Sequence, residues 1–248
     1  MPAADFHCRR DHLVAQFVRL YQWRMSSPQI IPEGAPLRRP LKTRQRAWAQ
    51  GLARVLTRAG AAPNTISMAS LAFAAAAGIC LGWTQRAEGS TRAALFLVAA
   101  ACIQLRLLCN MLDGLVAIEG GRKTAYGEIF NDMPDRFADV VILVGAGYSI
   151  ANFSWGRELG WLAAVLAVMT AYIRLLGGSM GVPQYFLGPM AKPHRMALLT
   201  AACVFSVFEN YFGRSGKTMA LALVLMIAGM LVTCARRTTR IVADLKRR

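Results

Sequence analysis

The sequence has few charged residues, and acidic residues are especially scarce. Charged side chains make up 17% of the 248 residues, and Asp and Glu number 13 against 29 Lys and Arg. A soluble domain of this length carries more charge, about a quarter of its residues. The formal net charge of +16 points to nucleic acid or to anionic lipid headgroups as a partner. Composition alone does not choose between the two.

The sequence shows no closely paired cysteines, and we expect no secretory leader in its first 24 residues. The six cysteines form no C-x-x-C pair, and most of them lie inside apolar runs, where they act as small apolar residues. We therefore expect neither a disulfide framework nor a zinc site. Residues 1–24 lack the apolar core and the cleavage site of a secretory signal. Membrane insertion is then expected to depend on the later apolar helices.

The sequence has instead several apolar runs long enough to cross a bilayer, which takes about 20 residues per helix. Pro63, Asn64 and Thr65 precede the first run and are typical of a helix start. We predict an all-α integral membrane protein with one six-helix domain over residues 61–238 and no separate soluble domain. The predicted spans cover residues 66–83, 93–117, 129–151, 159–176, 196–212 and 219–234.

The two ends of the chain are basic. Within an N-terminal segment, residues 1–60, we predict an interfacial amphipathic helix over residues 41–60. Its apolar residues recur at helical spacing, and arginines occupy the rest of the turn. An ordinary basic helix packed on protein is the alternative. Residues 239–248 are predicted to form a basic cytoplasmic tail. The apolar residues of the predicted helix are Trp48, Leu52, Val55 and Leu56.

The distribution of Lys and Arg predicts the orientation in the membrane. Eleven precede Pro63 and six follow Cys234, whereas the loops after the odd-numbered spans hold only five. By the positive-inside rule, both termini and the even-numbered loops are cytoplasmic. This position favours lipid headgroups over nucleic acid as the partner of the basic residues. Five aromatic residues cluster at the opposite surface, as in an aromatic belt: Trp83, Trp155, Trp161, Tyr211 and Phe212.

Polar residues crowd the end of the second span and the start of the third. Ionisable groups at this depth are costly, so they usually face a cavity and have a task. One helix face holds Asn110, Asp113, Gly114 and Ala117, and the next holds Gly127, Asn131, Asp135 and Asp139. A short loop makes the helices antiparallel, so the faces can converge on an oxygen-lined pocket.

Such a pocket suits a hard divalent cation beside phosphates. Gly114 and Ala117 leave room for a bulky ligand close to the helix backbone. A polar helix pair buried only for structural pairing is the alternative. A second cluster, Arg174, Lys192, His194 and Arg195, follows the fourth span and is typical of phosphate or sugar-phosphate binding. The alternative explanation for these basic residues is the positive-inside distribution of charge or contact with lipid headgroups.

The polar motif resembles that of the CDP-alcohol phosphotransferases, D-x-x-D-G-x-x-A-R-x8-G-x3-D-x3-D. Every spacing from residue 110 to residue 135 is reproduced. Three positions depart from the pattern: Asn110 and Asn131 replace Asp, and Ile118 replaces Arg. A looser similarity is Pro63 and Asn64 followed by Ser67 at the first span. The positions that match are Asp113, Gly114, Ala117, Gly127 and Asp135.

The resemblance implies a reaction and roles for these residues. The family transfers a substituted phosphate from a CDP-linked donor, commonly CDP-diacylglycerol, to an alcohol and releases CMP. Its four Asp hold divalent metal, and the fourth is the proposed base on the acceptor hydroxyl. Carried over by position, the metal ligands for Mg²⁺ or Mn²⁺ are Asn110, Asp113, Asn131 and Asp135, with Asp135 also the base. The substrate contacts would be Asp113, Gly114, Ala117, Asn64, Arg174, Lys192 and Arg195.

The departures bear on metal binding and on the donor. Asn110 and Asn131 can ligate through amide oxygens but bring no charge, so one of two metal ions is expected to be weakened or lost. Asp132 and Glu128 are near enough in sequence to compensate. Ile118 removes one expected contact with a donor phosphate.

We therefore predict an enzyme of phospholipid synthesis in a bacterial inner membrane, with a cytoplasmic active site. Its partners would be a CDP-linked lipid donor, an alcohol acceptor and membrane lipids, with no nucleic acid, and the family implies a homodimer. The alternatives are a nucleotide- or lipid-binding pseudoenzyme and a transporter. A transporter is disfavoured because the polar residues lie at one membrane surface and no internal repeat is visible.

Overall fold

Helices account for all the regular secondary structure in the part of the chain that the computed structural model describes, residues 47–119, 127–151, 153–212 and 216–247. The all-α prediction is confirmed over these ranges. The α-helices are α1 (Ala47–Arg58), α2 (Pro63–Trp83), α3 (Gly89–Glu119), α4 (Gly127–Tyr148), α5 (Gly156–Ser179), α6 (Lys192–Tyr211) and α7 (Lys217–Leu245). A 3₁₀ turn, Thr84–Arg86, joins α2 to α3.

Four of the described helices are long and apolar enough to cross a membrane. They are Pro63–Arg86, Gly89–Ile118, Gly156–Ser179 and Lys217–Leu245. Helices α4 and α6 correspond to the third and fifth predicted spans and are 22 and 20 residues long. They are less apolar because α4 carries the acidic residues of the motif and α6 begins with a basic cluster.

The six long helices pack in a ring. Helix α2 lies between α3 and α4, α4 continues to α5, α5 to α7, α7 to α6, and α6 returns to α3. This order makes α3 and α4 neighbours of the same helix, α2, so their polar faces lie around one end of it. Helix α1 packs against α3.

Alanines are numerous in the interior of the bundle, and many large apolar residues face outward. Leu97, Val165, Phe205 and Phe208 are each about half exposed or more. Exposed apolar surface of this extent is unfavourable in water and suits a lipid environment, where small residues let helices approach closely. The fully buried alanines include Ala74, Ala77, Ala99, Ala138, Ala146, Ala163 and Ala167.

Helix α4 approaches both of its neighbours at glycines. A Cβ atom on Gly145 would lie 2.5 Å from the carbonyl oxygen of Gly78 on α2, and one on Gly147 would lie 2.6 Å from Cα of Gly160 on α5. These distances are too short for any side chain. The glycines therefore bring the helix that carries Asp135 into backbone contact with both neighbours.

Helix α1 begins at Ala47, and residues 41–46 of the predicted interfacial helix lie outside the described residues. Its buried residues are Ala49 and Ala53, which pack with the C-terminal half of α3. Trp48 and Val55 are 50% and 61% exposed. One face of α1 therefore packs on protein, as in the alternative interpretation, and its place at a membrane interface stays a prediction.

The last helix is longer than its apolar run. The predicted span ends at residue 234, but α7 continues to Leu245. Arg237 explains part of the difference, because this side chain is buried and donates hydrogen bonds to the carbonyl oxygens of Leu187 and Thr170. Most of the predicted basic tail is therefore helical.

Candidate active site

The polar faces of α3 and α4 meet at Asn110 and Asp135. The amide nitrogen of Asn110 donates a hydrogen bond to Oδ1 of Asp135. Asp113 lies one turn further along α3 on the same face and is only 4% exposed. The structure thus brings together three residues that sequence reasoning named as metal ligands. All three offer hard oxygen atoms, two carboxylates and an amide, which is the donor type that Mg²⁺ and Mn²⁺ prefer.

Two serines of α2 support this polar face. The Ser70 hydroxyl donates to Oδ1 of Asn110 at 2.6 Å, and the Ser67 hydroxyl donates to Oδ2 of Asp113 at 2.8 Å. Sequence reasoning noted Ser67 through the family resemblance and missed Ser70. The available signal was their spacing, because two serines three residues apart share one face of an otherwise apolar helix.

Three basic side chains surround the carboxylate of Asp135. Lys192 bonds to Oδ2 from the start of α6. Nη2 of Arg106 lies 3.5 Å from Oδ1 and donates to the Asp135 carbonyl oxygen at 3.2 Å. Nη2 of Arg136 is 4.0 Å from Oδ2.

One turn after Asp135 on α4, Asp139 forms a buried ion group with Arg106 and Arg195. The two carboxylate oxygens of Asp139 accept from Arg106 at 2.7 Å and from Arg195 at 2.6 Å. The side chains of all three residues are at most 2% exposed. Sequence reasoning missed Arg106, whose signal was its position as the one basic residue deep within an apolar run.

Arg195 was predicted to contact a phosphate. It is buried, and besides Asp139 it donates to the carbonyl oxygen of Met190 at 3.2 Å. These surroundings favour a role in joining α6 to α4 over direct contact with a substrate.

Asp132 belongs to a separate, more exposed group. Its carboxylate is 34% exposed and pairs with Arg136 at 3.3 Å and with Arg174 at 3.0 Å. The Arg174 guanidinium also lies over the ring of Phe186, 5.4 Å from its centroid. Asp132 is therefore engaged by two arginines, which makes it a poor substitute for the carboxylates missing at positions 110 and 131.

The other predicted site residues differ in exposure. Gly114 is buried, Ala117 is partly buried, and Asn64 is exposed in the first turn of α2. Ile118, at the position of the family Arg, is 55% exposed. Two further predicted positions cannot be located in the same detail: the side chains of Asn131 and Glu128 lie outside the described part of the structure.

In the part of the chain that the structure describes, acidic and thiol side chains do not by themselves form a metal cluster. Within the described ranges, no three His, Cys, Asp or Glu side chains are grouped to hold a metal ion. The reason is visible in the motif: Asn110 occupies the place of one carboxylate, and Asp139 is paired with two arginines.

The helical bundle and the spaced motif of α3 and α4 resemble those of the CDP-alcohol phosphatidyltransferases. It is 28% identical over 190 residues to a phosphatidylinositol phosphate synthase of Mycobacteroides abscessus, an alignment that covers 75% of this chain and 80% of the relative. No protein-family model matches the chain.

Solved structures with the same fold include the phosphatidylinositol phosphate synthase of Mycobacterium tuberculosis. One, with CDP-DAG bound, has a TM-score of 0.65 and 20% identity and covers 78% of this chain and 92% of its own. Another, in complex with manganese and citrate, has the same score and identity and covers 78% and 88%. These relatives are phosphatidylinositol phosphate synthases, in agreement with the predicted family and with the predicted enzyme of phospholipid synthesis.

Proposed function

We propose that the protein transfers a phosphatidyl group from a CDP-linked lipid, CDP-diacylglycerol, to an alcohol acceptor and releases CMP. The observation that carries this proposal is the pairing of α3 and α4, which gathers Asn110, Asp113 and Asp135 at the family spacing. The structural neighbour with CDP-DAG bound supports the choice of donor.

In the proposed reaction the acceptor hydroxyl oxygen bonds to the phosphorus that carries the diacylglycerol. The bond from that phosphorus to the bridging oxygen of CMP breaks, and CMP leaves with the electron pair. Asp135 is the proposed base that accepts the hydroxyl proton. The donor would lie along α3, where Gly114 and Ala117 leave space beside the backbone, with Asn64 at its edge.

A divalent cation, Mg²⁺ or Mn²⁺, fits the oxygen atoms of this site. Asp113 would hold it as the charged ligand, with the amide oxygens of Asn110 and Asn131 as uncharged ligands and Asp135 beside it as the base. When bound, the cation would stabilise negative charge on the leaving pyrophosphate oxygen. The manganese complex of the structural neighbour supports a divalent ion.

The acceptor is proposed to be a phosphorylated polyol such as inositol phosphate. The name of the mycobacterial relative supports this choice. Arg174 and Lys192 carry positive charge near the motif and are partly exposed, which suits contact with an acceptor phosphate. Arg195 would support the site indirectly, by joining α6 to α4 through its ion pair with Asp139. Glycerol phosphate, an amino alcohol and another lipid are the acceptors to be compared.

We further propose six membrane spans, α2 to α7, with both termini and the active site cytoplasmic. At about 1.5 Å per residue, α4 and α6 reach roughly 33 and 30 Å, enough to cross the hydrocarbon core. All five predicted belt residues are exposed, Tyr211 and Phe212 at 91% and 77%. A location in a bacterial inner membrane, α1 at its interface and a homodimer complete the proposal.

The proposed reaction is tested by CMP release from the purified full-length chain supplied with CDP-diacylglycerol, Mn²⁺ and each acceptor in turn. Lipid mass spectrometry would identify the product. We expect turnover with a phosphorylated polyol and none without divalent cation. Tight CDP-lipid binding without CMP release from any acceptor would instead indicate a binding protein.

Two variants test the site. Asp113→Ala and Asp135→Ala should each lower CMP release far more than tenfold, which corresponds to more than about 1.4 kcal/mol of barrier. Glu158→Gln, an exposed change at the start of α5, is the matched control and should keep wild-type activity. Activity within tenfold of wild type in either Ala variant, with the protein folded, would remove these carboxylates from the mechanism.

A further inference from the structure

The carboxylate of Asp135 already has a cation and a neutral donor in direct contact. Asn110 donates to Oδ1 and Lys192 donates to Oδ2. Two carboxylates at positions 110 and 135 would repel each other at this separation, unless a metal ion lay between them. An amide at position 110 removes the repulsion and makes the contact attractive, because its N–H₂ group is a donor.

The orientation of the Asn110 amide follows from its neighbours on both sides. Its nitrogen faces a carboxylate oxygen, which only accepts, and its oxygen faces the hydroxyl of Ser70 at 2.6 Å. The reverse orientation would set two oxygen acceptors against each other at Asp135. Asn110 is therefore a specific donor to Asp135.

Lys192 brings a full positive charge to the same carboxylate from another helix. Arg106 and Arg136 add two more positive charges at 3.5 and 4.0 Å from its oxygens. A divalent cation placed at Asp135 would meet repulsion from all three. Asp113 accepts a hydrogen bond from the Ser67 hydroxyl and shares its helix face with the Asn110 amide.

We propose that Lys192 and Asn110 together replace one divalent cation of the family site, so that each chain binds a single divalent ion with Asp113 as its charged ligand. The inference rests on the proposed metal-dependent transferase and goes beyond it, because it assigns Lys192 to the charge balance of the metal site. A tethered ammonium adds one positive charge at Asp135, and the amide at position 110 removes one negative charge. The two changes together therefore compensate for the two charges of a missing dication.

The test is the number of Mn²⁺ ions bound per folded chain. Full-length protein in detergent is dialysed against Mn²⁺, and bound metal is counted by elemental analysis and by the electron paramagnetic resonance signal of free Mn²⁺. We expect one ion in the wild type and a twofold rise in the double variant Asn110→Asp with Lys192→Met. Lys192→Arg keeps the charge and should stay at one ion. Lys217→Met, at the start of α7, is the matched lysine control and should also stay at one.

The single variants cover the case in which the double variant does not fold. Asn110→Asp alone should bind a second Mn²⁺ more weakly than the double variant, and Lys192→Met alone should raise bound metal less than the double. Two ions or none in the wild type would overturn the inference, as would one ion in every folded variant.

Activity measured on the same preparations separates the two proposals. One bound Mn²⁺ without CMP release would count against the transferase and leave the metal inference standing. CMP release from wild-type protein with two bound ions would support the transferase and overturn the metal inference.

Discussion

At the scale of single residues, some charged side chains of the site are placed to bind substrate or metal, and others hold the helices together. Asp135 lies at the pocket and is 13% exposed, whereas Asp139, one turn further along α4, is 1% exposed between two arginines. A buried ion pair contributes little net stability, but removal of one partner is costly because the other charge stays buried and unpaired. Asp139 is thus the carboxylate on which the alignment of α3, α4 and α6 depends.

We expect Asp139→Asn to lower the free energy of unfolding by about 3–5 kcal/mol, because Arg106 and Arg195 would then face each other without a negative charge between them. The measurement is reversible unfolding in mixed micelles, followed by tryptophan fluorescence. Glu158→Gln is exposed and should change stability by less than about 1 kcal/mol. Equal stability of the Asp139→Asn protein and the wild type would show that the buried group does not hold the helices.

Arg174 gives a second prediction at this scale. It pairs with Asp132 at 3.0 Å at the edge of the site, so Arg174→Ala should raise the KM for the acceptor several-fold more than the KM for the CDP-linked donor. Steady-state kinetics with each substrate varied in turn would measure both. Equal small effects on the two substrates would assign Arg174 to anchoring α5 at the headgroups.

At the scale of helices, the position of Asp135 depends on how closely α4 packs. Helix α4 contains Pro134 beside Asp135, yet it remains helical from Gly127 to Tyr148. Its approach to α2 is set by Gly145 against Gly78, where only hydrogen atoms fit between the backbones. A side chain there must push the helices apart, and the shift would move Asp135 away from Asn110.

Gly145→Ala is therefore expected to destabilise the bundle by about 1–3 kcal/mol through overpacking, and to lower CMP release as well. Gly82→Ala is the matched control, because a Cβ at Gly82 meets no atom within 4 Å. Alanine is the better helix former, so this control should be neutral or stabilising by up to about 1 kcal/mol. If both variants unfold alike, close packing at Gly145 is not what positions α4.

At the scale of the whole molecule, the described long helices form a closed ring in which many buried residues are alanines and many large apolar residues are exposed. Helices α3 and α7 have 31 and 29 residues, about 46 and 43 Å in length. Both exceed the hydrocarbon core of about 30 Å, so part of each must project beyond it. Asn110 and Asp113 lie towards the end of α3 that would project on the basic side.

Reporter fusions test this orientation. A fluorescent protein fused after Arg248 should be bright and an alkaline phosphatase at the same point inactive, because the positive-inside rule keeps that end in the cytoplasm. Alkaline phosphatase inserted after Glu88, between α2 and α3, should be active. Phosphatase activity at the C-terminal fusion would reverse the predicted orientation.

The sequence by itself determined the helices and the arrangement of residues within each of them. Apolar runs interrupted by turn residues predicted every long helix, because helix formation and membrane insertion depend on local composition. The shared faces of α3 and α4 followed from spacings of three and four residues. The ends were less predictable: α7 continues past its apolar run because Arg237 finds buried carbonyl partners on other segments.

Only the tertiary structure decided which residues from different helices meet. Ser70 is 40 positions from Asn110, Arg106 is 29 from Asp135, and Lys192 is 57 from Asp135. No helical periodicity relates positions so far apart. Their contacts depend on the order of helices in the ring and on the rotation of each helix, which close packing of small residues sets. For that reason the motif was visible in the sequence, while the serines and cations that complete the site were not.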